Sequence, residues 1–179
     1  MGMLRLFRSF RRRFSRQDGN ATIEFVIIFP AFVLILISTF EVGMAMTRLT
    51  MLEHALDVTV RDIRLGTGTV FQHDDIRDTV CENAAVLKNC TSTLQLELVR
   101  IDPATWDMPV ETATCIDRGS AAEPVITFNN GVANDIMYVR ACFVVDPLFP
   151  TMGLGSILDV DATGVMQLVA MSAFSQEPD

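Results

Sequence analysis

Positive charge is scarce beyond residue 19 of this 179-residue chain, where eight basic residues stand against 21 acidic ones. That acidic balance repels polyanions, and nucleic-acid binding is not expected. Histidine is nearly absent: His54 and His73 are the only two, and both lie outside the cysteine region. No two cysteines have Cys-x-x-Cys spacing, so no bound metal is expected. The chain also lacks a Walker loop, a His-Glu-x-x-His helix and a Gly-x-Ser-x-Gly elbow. Beyond residue 47 the close carboxylate pairs are Asp74-Asp75 and Asp159-Val160-Asp161, which read as a helix cap and a solvated strand edge. Catalysis, a cofactor and a small-molecule substrate are therefore not expected.

What the sequence does have is apolar weight: half of its residues are hydrophobic and its mean hydropathy is +0.34. Six arginines (Arg5, Arg8, Arg11, Arg12, Arg13, Arg16) against the single acid Asp18 make residues 1–19 strongly basic. An uncharged run follows from Phe25 to Phe40. Apolar character resumes after Glu41, and no positive charge appears before Arg48. A helix over Phe25 to Thr47 would be roughly 35 Å long, enough to cross a hydrocarbon core of about 30 Å. The arginines just before it favour a cytoplasmic N-terminus and an exported C-terminal part. A cleaved secretory signal is the competing reading, with Gly43-Met44-Ala45 offering small residues for signal peptidase and a product starting near Met46. The pattern continues past that cut, however. Leu49, Leu52, Leu56, Val60 and Ile63 recur every three or four residues between charged positions, so the helix leaves the membrane and becomes amphipathic. Gly66-Thr67-Gly68 ends it near Leu65.

Glu24 stands at the edge of the apolar run, where a carboxylate is costly unless paired. One reading makes it a helix-start acid favoured by the macrodipole. Another takes it with Gly19: a cut after Gly19 makes Asn20 the first mature residue and Glu24 the fifth, with the apolar span beginning at once. Pro30 removes one helical N–H and should bend or loosen the span. Glu41 falls near the outer interface, within reach of headgroups or of a Lys or Arg on a partner, or simply snorkelling.

The basic leader, Gly19, Glu24 and the following hydrophobic helix resemble the class III signal of type IV prepilins. The longer stretch from Gly19-Asn20-Ala21-Thr22-Ile23-Glu24-Phe25 through Pro30, with Glu41-Val42-Gly43 and then Leu52, Ala55 and Arg61, is similar to the TadE-like family. The resemblance covers roughly residues 17 to 64. It implies a pseudopilin of a Flp (tight adherence) pilus system, seated in the bacterial inner membrane and matured by a prepilin peptidase. It further implies assembly with other pilin-like subunits through Glu24, Phe25, Pro30 and Glu41. In such assemblies the Glu24 side chain would neutralise the mature amino terminus of a neighbour. An unprocessed single-pass protein with a partner-binding exported domain is the alternative. Asn20 departs from the aromatic or small residue that many pilins carry first.

Three segments follow: a basic leader over 1–19, a transmembrane and stalk helix over 20–66, and an exported α+β domain over 67–179. Cys81, Cys90, Cys115 and Cys142 all lie in the exported part, where disulfides are the default. Three pairings are open to four cysteines. Cys81 and Cys90 flank one helix and its exit, whereas Cys115 and Cys142 sit in strand-like stretches, and this favours 81–90 with 115–142. Asp74-Asp75 should cap a helix with Ile76, Val80, Ala84 and Leu87 on one face, ended by Lys88-Asn89. Alternation predicts strands over about 93 to 101, Ile136 to Val145 and Gly164 to Ser175. Asn129-Asn130-Gly131 reads as a hairpin or loop turn. Pro147-Leu148-Phe149-Pro150 and Gly153-Leu154-Gly155 form a loop between the last two strands. Its Leu148–Met152 part is expected to bury against the domain's own sheet, the other reading being a partner contact. One helix on a small antiparallel sheet, with the membrane helix as its stalk, is the architecture expected.

Overall fold

A computed structural model describes residues 21–65, 70–109, 112–119, 126–157 and 164–178. The arginine leader, Gly19, Asn20, Gly66-Thr67-Gly68 and Asp159-Val160-Asp161 lie outside the described residues. Helix α1 runs unbroken over Ala21–Leu65, with Pro30 inside it. At 45 residues it is roughly 68 Å long. Among the described residues it is the one helix long and apolar enough to cross a membrane, and none of its most apolar stretch is buried.

Helix α2 (His73–Asn83), one turn of helix α3 (Cys90–Thr93) and strands β1 (Leu94–Ile101), β2 (Ile136–Val145) and β3 (Met166–Ser175) complete the order. The sheet is antiparallel throughout, in the order β1-β2-β3. Its inner face carries Leu94, Leu96 and Leu98 of β1, Met137, Val139, Ala141 and Phe143 of β2, and Leu168, Ala170 and Phe174 of β3. Against these pack Leu52, Ala55, Leu56, Val60 and Ile63 of α1, with Ile76 and Val80 of α2. Ala141 and Ala170 face one another in register. Ala55 of α1 belongs to the same cluster; such small side chains let a helix lie close to a sheet, and α1 packs chiefly along β3.

The two ends of that packing are bonded. Distally, Gln176 donates from Nε2 to the carbonyl of Ile63 at 3.1 Å, satisfying one of the helix-end acceptors that have no partner within the helix. Beside it, Arg64 reaches Glu177 at 2.6 Å. That pair is half exposed, 50 % and 42 % for the two side chains, so Arg64→Ala should lower stability by less than about 1 kcal/mol, and less still in high salt. Matched thermal melts of the two proteins check this.

The outer face of the sheet is covered by the segment 112–119. Cys142, Val144 and Val165 form a small cluster there with Ala113, Cys115, Ile116 and Val169, held by the Cys115–Cys142 disulfide. Arg118 bonds Asp146 at 2.7 Å and the Val144 carbonyl at 3.0 Å. On the same face Glu97 and Arg140 are direct cross-strand partners, and Arg140 Nε donates to Glu97 Oε2 at 2.7 Å.

Two expectations are corrected. Helix α2 stops at Asn83, four residues before Leu87, because the chain turns through Ala84 N–H to Cys81 and Leu87 N–H to Ala84 bonds. The Cys81–Cys90 disulfide holds that turn, while Ala84 and Leu87 stay buried. The cap position belongs to Gln72, and Asp74 and Asp75 fall in the first turn instead, where the helix dipole favours them. Of the two readings of Asn129-Asn130-Gly131, the loop is the one formed. It follows the parallel bridge between Phe128 and Leu98 on the β1 edge, and Asn130 clasps the backbone of Phe71 through both side-chain atoms.

Candidate functional site

Helix α1 has two environments. Residues Ala21 to Phe32 are exposed all round, with the rings of Phe25 and Phe29 stacked at 4.8 Å. From Val33 onward one face turns inward, at the three- and four-residue spacing that places side chains on one stripe. Glu24 lies exposed in the first turn, and nothing pairs with it among the described residues. Pro30 lies in the exposed stretch as well.

Glu41 is the residue whose setting differs most from expectation. It is only 2 % exposed, and its carboxylate is held within the chain. The backbone N–H groups of Leu148 and Phe149 donate to Oε1 and Oε2, each at 2.9 Å. One turn earlier, Ser38 Oγ accepts from the N–H of Leu154 at 3.3 Å. Residues three apart share a helix face, so Ser38 and Glu41 together receive the loop 147–157. That loop was expected on the sheet. Its two prolines carry it away from the end of β2, and a turn of 3₁₀ helix, Gly153–Ser156, rests on α1.

Close approach accounts for both loop glycines. Gly153 has φ +61°, and a Cβ there would stand 2.7 Å from Ser38 Oγ. At Gly155 a Cβ would stand 2.5 Å from the carbonyl oxygen of Phe149, which is backbone and cannot swing aside. Gly155→Ala should therefore loosen the loop at a cost of about 1–3 kcal/mol, read as faster amide exchange at Leu148 and Phe149.

This contact bears on the signal-peptidase reading. A cut near Met46 would remove Ser38 and Glu41 and leave the Leu148 and Phe149 donors without their carboxylate. Both expected disulfides are formed, Cys81–Cys90 and Cys115–Cys142. Cys115 lies in irregular chain rather than a strand. Among the described residues no group of three or more His, Cys, Asp or Glu side chains could hold a metal ion. His54 is exposed on α1. His73 Nδ1 lies 3.0 Å from Asp74 Oδ1, and this hydrogen bond, aided by the charge of Arg77, holds the Asp74 carboxyl below its usual range.

Sequence reasoning placed Glu41 at an interface but missed Ser38 and the loop that both residues hold. The available signal was the uncharged, proline- and glycine-marked stretch from Pro147, together with a serine one turn before the buried acid.

Helix α1 is thus half bare and apolar, and it carries a disulfide-bonded α+β head on its other half. Residues 19–61 match the model of a family described as TadE-like protein. The match begins at Gly19 and runs along α1 to Arg61, where the resemblance was read in the sequence, and it sets the chain in the context of Tad pilus assembly. No curated protein and no solved structure matches the chain.

Proposed function

We propose that the chain is a pseudopilin or minor pilin acting in the assembly of a Flp (tight adherence) type IV pilus. It is inserted in the bacterial inner membrane with its arginine leader in the cytoplasm and its head in the periplasm or on the pilus surface. A prepilin peptidase cuts after Gly19, and the bare half of α1 then packs with other pilin-like subunits. The role is structural, without catalysis or cofactor.

The observation that carries this reading is the TadE-like match opening at Gly19, directly ahead of an apolar helix half that is exposed among the described residues. Glu24 supports it, being an exposed carboxylate at the start of that half. In a low-dielectric assembly it needs a positive partner, and a neighbour's new amino terminus provides one.

The test is the N-terminal sequence and intact mass of the protein recovered from membranes of cells with and without a matching prepilin peptidase, beside a Gly19→Ala variant. A start at Asn20 that requires both the peptidase and Gly19 is expected. An intact Met1 start with active peptidase present overturns the prepilin reading, and a soluble product starting near Met46 overturns membrane anchoring altogether.

A further inference from the structure

We propose that the loop Pro147–Ile157 dips into the bilayer on the side where the head lies, as a lipid-facing collar around the emerging helix. The inference rests on α1 spanning a membrane, and three observations carry it.

The first is length. About 20 helical residues are needed to cross a hydrocarbon core of about 30 Å. Counted from Ala21 the span reaches Phe40, and counted from Phe25 it reaches Met44. The loop reaches α1 below both limits at Leu154, which bonds Ser38 and lines an open groove with Leu34, Ile35 and Thr39. Ser38 therefore lies about 3 to 9 Å inside the apolar boundary, the depth at which amphipathic elements seat between headgroups and acyl chains.

The second is chemistry. In a head that is otherwise acidic, Pro147 to Leu158 carries no charged residue. The loop leaves Leu148, Met152, Leu154 and Ile157 exposed, Ile157 at 76 %. Asp146, just ahead of it, is paired with Arg118 at 2.7 Å.

The third is the backbone. Irregular chain is tolerated at membrane depth only where its polar groups find partners within the protein. Here Pro147 and Pro150 have no N–H to satisfy. The N–H groups of Leu148 and Phe149 bond Glu41, that of Leu154 bonds Ser38, and those of Met152 and Ile157 bond the carbonyls of Phe149 and Leu154. The bonds of Leu148 and Phe149 also satisfy the Glu41 carboxylate, which is buried against the loop, where a bare one would be costly.

The experiment uses the full chain reconstituted in phosphatidylcholine–phosphatidylglycerol vesicles whose acyl chains are brominated at shallow or deep positions. Trp106 is the chain's single tryptophan and follows β1 at the sheet's far end, so it serves in the native protein as the aqueous reference. In a Trp106→Phe background, Met152→Trp and Ile157→Trp report on the loop and Ile35→Trp on the span. Quenching of all three reporters is expected, with a blue shift relative to Trp106 and the loop positions responding most to shallow bromines. Quenching at Ile35→Trp with neither loop reporter affected overturns the inference while leaving the membrane span intact, and assigns the loop to water or to a protein partner. No quenching at Ile35→Trp overturns the span itself, and the collar with it.

Discussion

In a Glu41→Ala variant the amides of Leu148 and Phe149 are expected to exchange with solvent at the rate of open loop, as the clasp between α1 and the loop is lost. Each of these N–H groups bonds one carboxyl oxygen at 2.9 Å, and hydrogen bonds to a carboxylate are worth about 1.5–3 kcal/mol each. Loss of both therefore costs about 3–6 kcal/mol of clasp stability. The loss falls locally, because β2 and β3 keep their register through their own ladder and the loop opens as a separate unit. Glu41→Gln retains one carbonyl oxygen and should lose about half as much. Hydrogen exchange followed by mass spectrometry on the full chain in micelles reads all three proteins. Unchanged protection at Leu148 and Phe149 in Glu41→Ala would mean that packing alone holds the loop.

The paired substitution Cys115→Ser with Cys142→Ser should lower global stability by about 3.6 kcal/mol, the chain-entropy estimate for its loop, whose cysteines are 27 residues apart. Removing Cys81–Cys90, separated by 9 residues, should cost about 2.6 kcal/mol by the same relation. The difference goes beyond loop length. Cys115 pins the cover of the outer face, and without it Val144, Val165 and Val169 lose their apolar roof. Cys81–Cys90 only fastens a turn that the buried Val80, Ala84 and Leu87 also hold. Guanidinium unfolding of the three proteins ranks them, and a Cys115/Cys142 variant with the parent's midpoint would refute the claim that this bridge fastens the cover.

Periodicity made most of the architecture readable in advance. The amphipathic stripe from Leu49 to Ile63 marked α1 as far as Leu65, where it ends. Alternation placed β2 at Ile136–Val145 and β1 within one residue of its start. These signals are strong because each element buries one face, so burial is written directly into residue order. Helix α2 was read too long because Ala84 and Leu87 are buried as a helix face would be, although a turn brings them there. The setting of Glu41 had no signature to read. Its partners are backbone N–H groups, which every residue except proline supplies, and they lie more than a hundred residues away in the chain. Glu97 and Arg140 were likewise separate letters until the strand register set them opposite one another. Gly19 and Asn20 were legible as a sequence motif, and only the matched segment bears on them.

The tie between α1 and β3 has a mechanical meaning. Helix and strand lie alongside each other, fastened by the loop clasp at Glu41 on one end and by Gln176 and Arg64 on the other. A pull along the helix axis therefore loads the intervening contacts in shear, all at once, rather than peeling them apart one after another. Any load on α1 is thereby passed to the head through the whole packed length.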